Sequence, residues 1–110
     1  MNLFNKYSNI QIPDCKEYGI LSAFVTNKSY EDNSIFHWIM FDDLINIGYN
    51  PIQWHGVWDF NFELCWIVPG INFEKLCNIA NKYRQEAVVY ANTHTLNFSE
   101  CTYRIKDKND

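Results

Sequence analysis

Lysine and arginine are scarce in this chain: nine of them stand against thirteen acids, for a net charge of -4 and a pI near 5.2. Non-specific binding to a phosphate backbone needs basic side chains that displace counterions, so direct nucleic-acid binding is not expected. Chemistry-bearing clusters are missing as well. The sequence holds no phosphate loop and no catalytic triad, and its three histidines stand apart, with only Asp59 following His55 at anything near ligand spacing. Cys15, Cys65, Cys77 and Cys101 are widely separated and form no C-x-x-C. Because the opening residues MNLFNKYS carry no signal-type apolar run, reduced thiols and a cytoplasmic location are the expectation. No apolar run approaches the length of a membrane span. Cys65 lies among apolar and acidic neighbours, which raise a thiol pKa and disfavour a nucleophile. No cofactor, metal or catalytic residue is implied.

What the chain does have is apolar and aromatic. Apolar residues make up 47% and aromatics 17% of the 110 residues, enough for one domain with its own core. Charge is uneven along it. Up to Cys65 the sequence carries eight acids and three bases, and beyond it five acids and six bases. That asymmetry describes either a solvated face or an acidic patch that steers a basic partner. The richness in Asn, Lys and Ile fits an AT-rich bacterial or phage genome.

Periodicity and breakers order the elements. Residues 1–17, with Pro13 as a breaker, read as an N-terminal arm, and Tyr18–Thr26 as a first strand. A helix is predicted over Ser34–Ile47, capped by Asn33 or Ser34 and stopped by Gly48. Apolar residues cover most of its circumference, more than one sheet requires, so either the sheet and the N-terminal arm bury it from two sides or part of it is a contact surface. Ile52–Trp58 and Phe62–Val68 form a hairpin, with Phe62, Leu64, Trp66 and Val68 on one face and Glu63, Cys65 and Ile67 on the other. A second helix runs from Phe73 to about Arg84 with Asn72 as cap and Phe73, Leu76, Cys77, Ala80 and Tyr83 inward. Ala87–Tyr90 is a buried strand, Leu96–Ile105 an edge strand and 106–110 a frayed tail. The predicted fold is α+β: a ferredoxin-like split β-α-β sandwich, β-α-β-β-α-β plus an extra C-terminal strand, with both helices on one face of an antiparallel sheet.

Five short patterns accompany this order: Ser29-Tyr-Glu31-Asp-Asn33, Leu44-Ile-Asn-Ile-Gly48-Tyr49, Gly56, Glu63-Leu-Cys65-Trp-Ile-Val68-Pro-Gly70 and Tyr83-Arg-Gln85-Glu-Ala87-Val88. Together they resemble a family of small uncharacterised bacterial and phage proteins, a domain of unknown function, with the pattern S-x-E-x-N, L-x-x-x-G-Y, E-x-S-x-x-V-x-G and F-G-Q-x-A-V. The resemblance spans Leu21 to Tyr90. It departs from the pattern at Cys65, where a serine is common, and at Tyr83-Arg84, in place of Phe-Gly. It implies a fold and a site position and carries no activity.

Two sets of residues are candidates for function. Asn33, Glu63 and Gln85 sit at element ends or mid-strand, where packing alone selects apolar residues, and either hold a small ligand or satisfy backbone groups. Glu31, Asp32, Asp42, Asp43 and Asp59 with Trp54, Trp58 and Phe60 offer an acidic and aromatic surface for a protein partner. The preferred reading is a non-enzymatic protein-binding module acting on a basic protein or ribonucleoprotein. Its concrete form is a phage-type inhibitor of a host nucleic-acid-handling or defence complex, of the anti-CRISPR kind. A small-molecule regulator or enzyme built on Glu63, Gln85 and Asn33, and a homodimer seam along the first helix, stay open beside it.

Overall fold

Runs of strand formers and two capped helical stretches organise the computed structural model, which describes residues 16–58, 61–92 and 102–104. In chain order the elements are β1 Glu17–Leu21, α1 Tyr30–Ile47, β2 Ile52–Trp58, β3 Asn61–Pro69, α2 Phe73–Lys82, β4 Ala87–Asn92 and β5 Thr102–Arg104. Every described pairing is antiparallel, with β1 between β3 and β4, β2 outside β3 and β5 beside β4. This α+β arrangement of two helices on an antiparallel sheet is compatible with a ferredoxin-like fold.

Strand alternation separates two clusters. Leu21, Trp66, Val68 and Val88 join Met40 and Leu44 of α1 and Leu76, Ile79 and Ala80 of α2 in the main core. Both helices therefore lie on the same side of the sheet. The intervening strand residues Ile20, Cys65 and Ile67 gather on the other side with Ile52, Trp54 and Val89. Gly19 marks where α2 presses on β1, since an added Cβ would stand 2.6 Å from both terminal methyls of Leu76.

Helix α1 begins four residues before the expected Ser34. Ser29 is its cap, with Oγ accepting from the Asp32 N–H at 3.1 Å, and Glu31 and Asp32 in the first turn complement the positive end of the helix dipole. The polar run Asn27–Asn33, which reads as a loop in sequence, thus supplies the helix's first turn from Tyr30 onward, and Asn33 lies inside it. At the far end Gly48 adopts φ 111°, a left-handed conformation costly for other residues, and the Tyr49 N–H donates to the Leu44 carbonyl. In α2, Asn72 is the cap as expected, its Oδ1 accepting from the Lys75 N–H at 2.8 Å. The helix stops at Lys82, before Arg84, whose φ is 57°. Leu76, Ala80 and Tyr83 are buried as anticipated and Ile79 joins them, whereas Cys77 is half-buried and Phe73 is 39% exposed.

Two strand expectations change. β1 ends at Leu21 rather than Thr26, because Ser22–Val25 leaves the sheet and has its backbone bound by side chains, as set out below. The final strand covers Thr102–Arg104, and the rest of the predicted Leu96–Ile105 run lies outside the described residues apart from those three. The predicted arm is described only at Lys16 and Glu17, the latter already in β1, and the predicted tail lies outside the described residues. No helix among the described residues is long and apolar enough to cross a membrane.

Candidate interaction surface

Helix α1 is held by one side. Asn33, His37, Met40 and Leu44, spaced to fall on a single face, are its buried residues. Trp66 of β3 fastens that face. Its indole stacks on the His37 ring at 4.2 Å and 8°, and its Nε1–H donates to the His37 carbonyl at 2.9 Å. Burying an aromatic of this size together with its polar atom places α1 on the sheet in one orientation.

The opposite side of α1 remains apolar and open. Ile35, Trp38, Ile39 and Ile45 are between 42% and 59% exposed. Of the expected burial by the sheet and the N-terminal arm, the sheet's part is seen in Met40 and Leu44, and the arm's part falls on residues 1–15, outside the described residues. Glu31, Ile35, Trp38, Asp42 and Ile45 follow one another at spacings of four and three, which aligns them along the helix. Trp38 is exposed but anchored. Its ring meets Trp66 at 5.3 Å, Phe41 at 5.5 Å and His37 at 5.3 Å, all in edge-on contact.

The acidic and aromatic residues singled out in the sequence are divided between places. Glu31, Asp32 and Asp42 are exposed on α1. Asp43 is engaged inside the protein, where it accepts from Lys82 Nζ at 2.8 Å and from the Tyr83 hydroxyl. Those two bonds, Lys82 before Tyr83, hold its carboxyl below the usual carboxylate range, while burial and then the Asp43 bond push the Tyr83 phenol up. Trp54 pairs with Cys65 across β2 and β3 and packs half-buried on the sheet face away from the helices. It therefore cannot share a surface with the α1 acids, as the sequence reading had joined them. Trp58 is described in its backbone alone, and Asp59 and Phe60 lie outside the described residues.

Of Asn33, Gln85 and Glu63, the first two meet on one peptide group and Glu63 stands apart. Asn33, 4% exposed, accepts from the Val25 N–H and donates to the Val25 carbonyl, both at 3.0 Å, and donates to the Lys28 carbonyl at 3.3 Å. Gln85 donates from Nε2 to the Phe24 carbonyl at 2.9 Å. Ser22 adds a third side chain, its Oγ donating to the Leu64 carbonyl and accepting from the Phe24 N–H. Three side chains thus satisfy consecutive peptide groups that no neighbouring strand reaches. Glu63 sits on β3 at the parity of Cys65 and Ile67, so its side chain leaves the sheet on the opposite side.

The buried titratable groups are tuned away from reactivity. Burial, then the charge of Glu63, push the Cys65 thiol up to about 12, against a hydrogen bond from the Gly56 backbone. A thiol held neutral in this way is a poor nucleophile. Burial also raises the half-buried Cys77 thiol. Cys15 and Cys101 lie outside the described residues. His37, with no exposed surface, faces the Gln53 side-chain oxygen through Nε2 at 2.9 Å, which makes that nitrogen the N–H donor. Its Nδ1 is buried without a partner. Burial lowers the His37 pKa, with His55 reinforcing and the Gln53 bond opposing the shift. No group of three His, Cys, Asp or Glu side chains suited to a metal ion occurs among the described residues.

Sequence reasoning passed over Ile35, Trp38, Ile39 and Ile45 as site residues, although their alternating spacing with Glu31 and Asp42 was the signal that marks an outer seam. Comparison with known proteins adds no family: no family model matches the chain, and no curated protein matches it.

Proposed function

We propose that this chain is a ferredoxin-like, non-enzymatic module that binds another protein through the outer face of α1. The observation that carries the reading is the exposed line of Ile35, Trp38, Ile39 and Ile45, with Trp38 already fixed against Trp66. Contiguous apolar side chains on a surface helix favour association and are a solubility liability when left uncovered. An aromatic held in place before binding loses little entropy on contact, which is the character of an interface hot spot. The acids Glu31, Asp32 and Asp42 beside it supply electrostatic selection. A cytoplasmic setting belongs to the same proposal, where the free thiols of Cys65 and Cys77 stay reduced. The phage-type inhibitor of a nucleic-acid-handling or defence complex is its narrower form, supported by the acidic, Asn- and Ile-rich composition and the exposed α1 carboxylates.

The test compares the immobilised chain with an Ile35→Ser/Trp38→Ala variant in bacterial lysate, with bound proteins quantified by mass spectrometry. A specific protein retained by the native chain and reduced roughly tenfold or more on the variant, at unchanged circular dichroism, is the expected result. Identical retention by both proteins would remove α1 from the function.

A further inference from the structure

The outer line of α1 has a composition that selects among occupants. Glu31, Ile35, Trp38, Asp42 and Ile45 span fourteen residue steps, about 21 Å of helix, and the two carboxylates are eleven residues and about 16 Å apart. Alternating steps of four and three are those of a seam that meets another helix. The helix holds four carboxylates, Glu31, Asp32, Asp42 and Asp43, and neither lysine nor arginine. Asp43 is neutralised within the protein by Lys82, but Glu31 and Asp42 stand on the seam itself.

Charge then decides between partners. A second copy in parallel register would set Asp42 against Asp42 and Glu31 against Glu31. An antiparallel copy crossing at Trp38 would press Glu31 onto Ile45 and Asp42 onto the neighbourhood of Ile35. In both cases carboxylates are desolvated with no base on either helix, a cost that self-association does not recover. Anionic phosphates, in nucleic acid or in a lipid headgroup, are repelled by the same groups. A helix with lysine or arginine opposite Glu31 and Asp42, and apolar side chains between, relieves every one of these conflicts.

We infer that the occupant of the α1 outer face is a basic amphipathic helix of a partner protein, with an apolar seam and two Lys or Arg residues eleven positions apart, an inference that rests on the protein-binding reading above. Its apolar seam residues close over Ile35, Trp38 and Ile45, and its two bases fix register by meeting Glu31 and Asp42. The anchored indole of Trp38 sits at the middle of that contact.

The probe is a display library of helical peptides of about twenty residues on an Ala/Gln background, randomised at the seam positions and selected against the immobilised full chain. Selected sequences are expected to carry two bases eleven positions apart between apolar residues. Affinity of such a peptide for the Glu31→Lys/Asp42→Lys variant should fall on the order of tenfold or more at low salt, and return when the peptide's two bases are exchanged for Glu. Peptides that depend on Ile35 and Trp38 but show no preference for bases would overturn this inference and leave the protein-binding reading standing. If the native chain selects no peptide that the Ile35→Ser/Trp38→Ala variant loses, both readings fall. A dimer in sedimentation that Ile35→Ser abolishes would assign the face to a second copy and also overturn the inference.

Discussion

The two helices of this protein rest on the same side of one sheet, yet they treat solvent differently. Helix α2 follows the economical pattern of a surface helix: Leu76, Ile79 and Ala80 go inward, while Glu74, Lys75 and Asn78 face water. Helix α1 buries a comparable inner face and then repeats apolar chemistry on the outside with Ile35, Trp38, Ile39 and Ile45. Folding accounts for every apolar residue on the inner face of α2. It does not account for the outer line of α1, so the difference isolates what the sequence carries beyond the needs of its core.

The contrast breaks first at α2. Leu76, fully buried between α2 and the Gly19 surface of β1, should cost roughly 2–5 kcal/mol when replaced by Ala, read as a lowered denaturant midpoint. A loss no larger than that of an exposed position would show that α2 is not docked on β1. An intermediate effect is expected on the inner side of α1, where His37 faces Gln53, Trp66, Phe24 and, at longer range, His55. Its pKa is lower in the folded protein than the ordinary 6.5, so the unfolded chain binds the proton more readily. The corresponding stability is fully present above 6.5 and is lost as pH falls from there toward the folded-state value. Thermal midpoints at pH 7.5 and 5.5 should therefore separate more for the native chain than for His37→Phe, which lacks the titrating nitrogen; equal separation would place the pH response elsewhere. The smallest effect sharpens the comparison from outside. Ile35→Ser, on the open face, should change unfolding free energy by no more than about 0.5 kcal/mol, and a core-sized loss would mean that this face is covered in the free protein.

Much of this architecture is legible in the residue pattern. The period-two alternation of β3 separates Trp66 and Val68 from Cys65 and Ile67, and the two clusters of the fold preserve that division. Asn72 and Gly48 mark helix ends through backbone chemistry that needs no tertiary partner. Other decisions are made only by tertiary contact. Ser22–Val25 is as rich in strand formers as the residues before it, but no pairing strand reaches it and side chains from α1 and from beyond α2 bind its backbone instead. The first turn of α1 reads as polar loop because Glu31, Asp32 and Asn33 face either the helix dipole or that backbone. How many sides of α1 are covered is a property of the layer arrangement, and a helical pattern of apolar residues states which directions are greasy without stating what stands in them. Asn33 and Gln85 are conspicuous as residue types, but nothing local reveals that their hydrogen-bonding partners are peptide groups eight and sixty-one residues away.

That pair of side chains has a consequence for how the molecule opens. The Val25 amide hydrogen belongs to no strand or helix, and its acceptor is the side chain of Asn33, itself buried in the first turn of α1. The Phe24 carbonyl of the same peptide group is held by Gln85, just after α2. Exchange of that one hydrogen with solvent water therefore requires release of the Asn33 side chain, which ties it to opening between the first turn of α1 and the Ser22–Val25 segment. A position that looks like an ordinary connection is thus a reporter on the contact between α1 and the segment that follows β1, readable by hydrogen exchange.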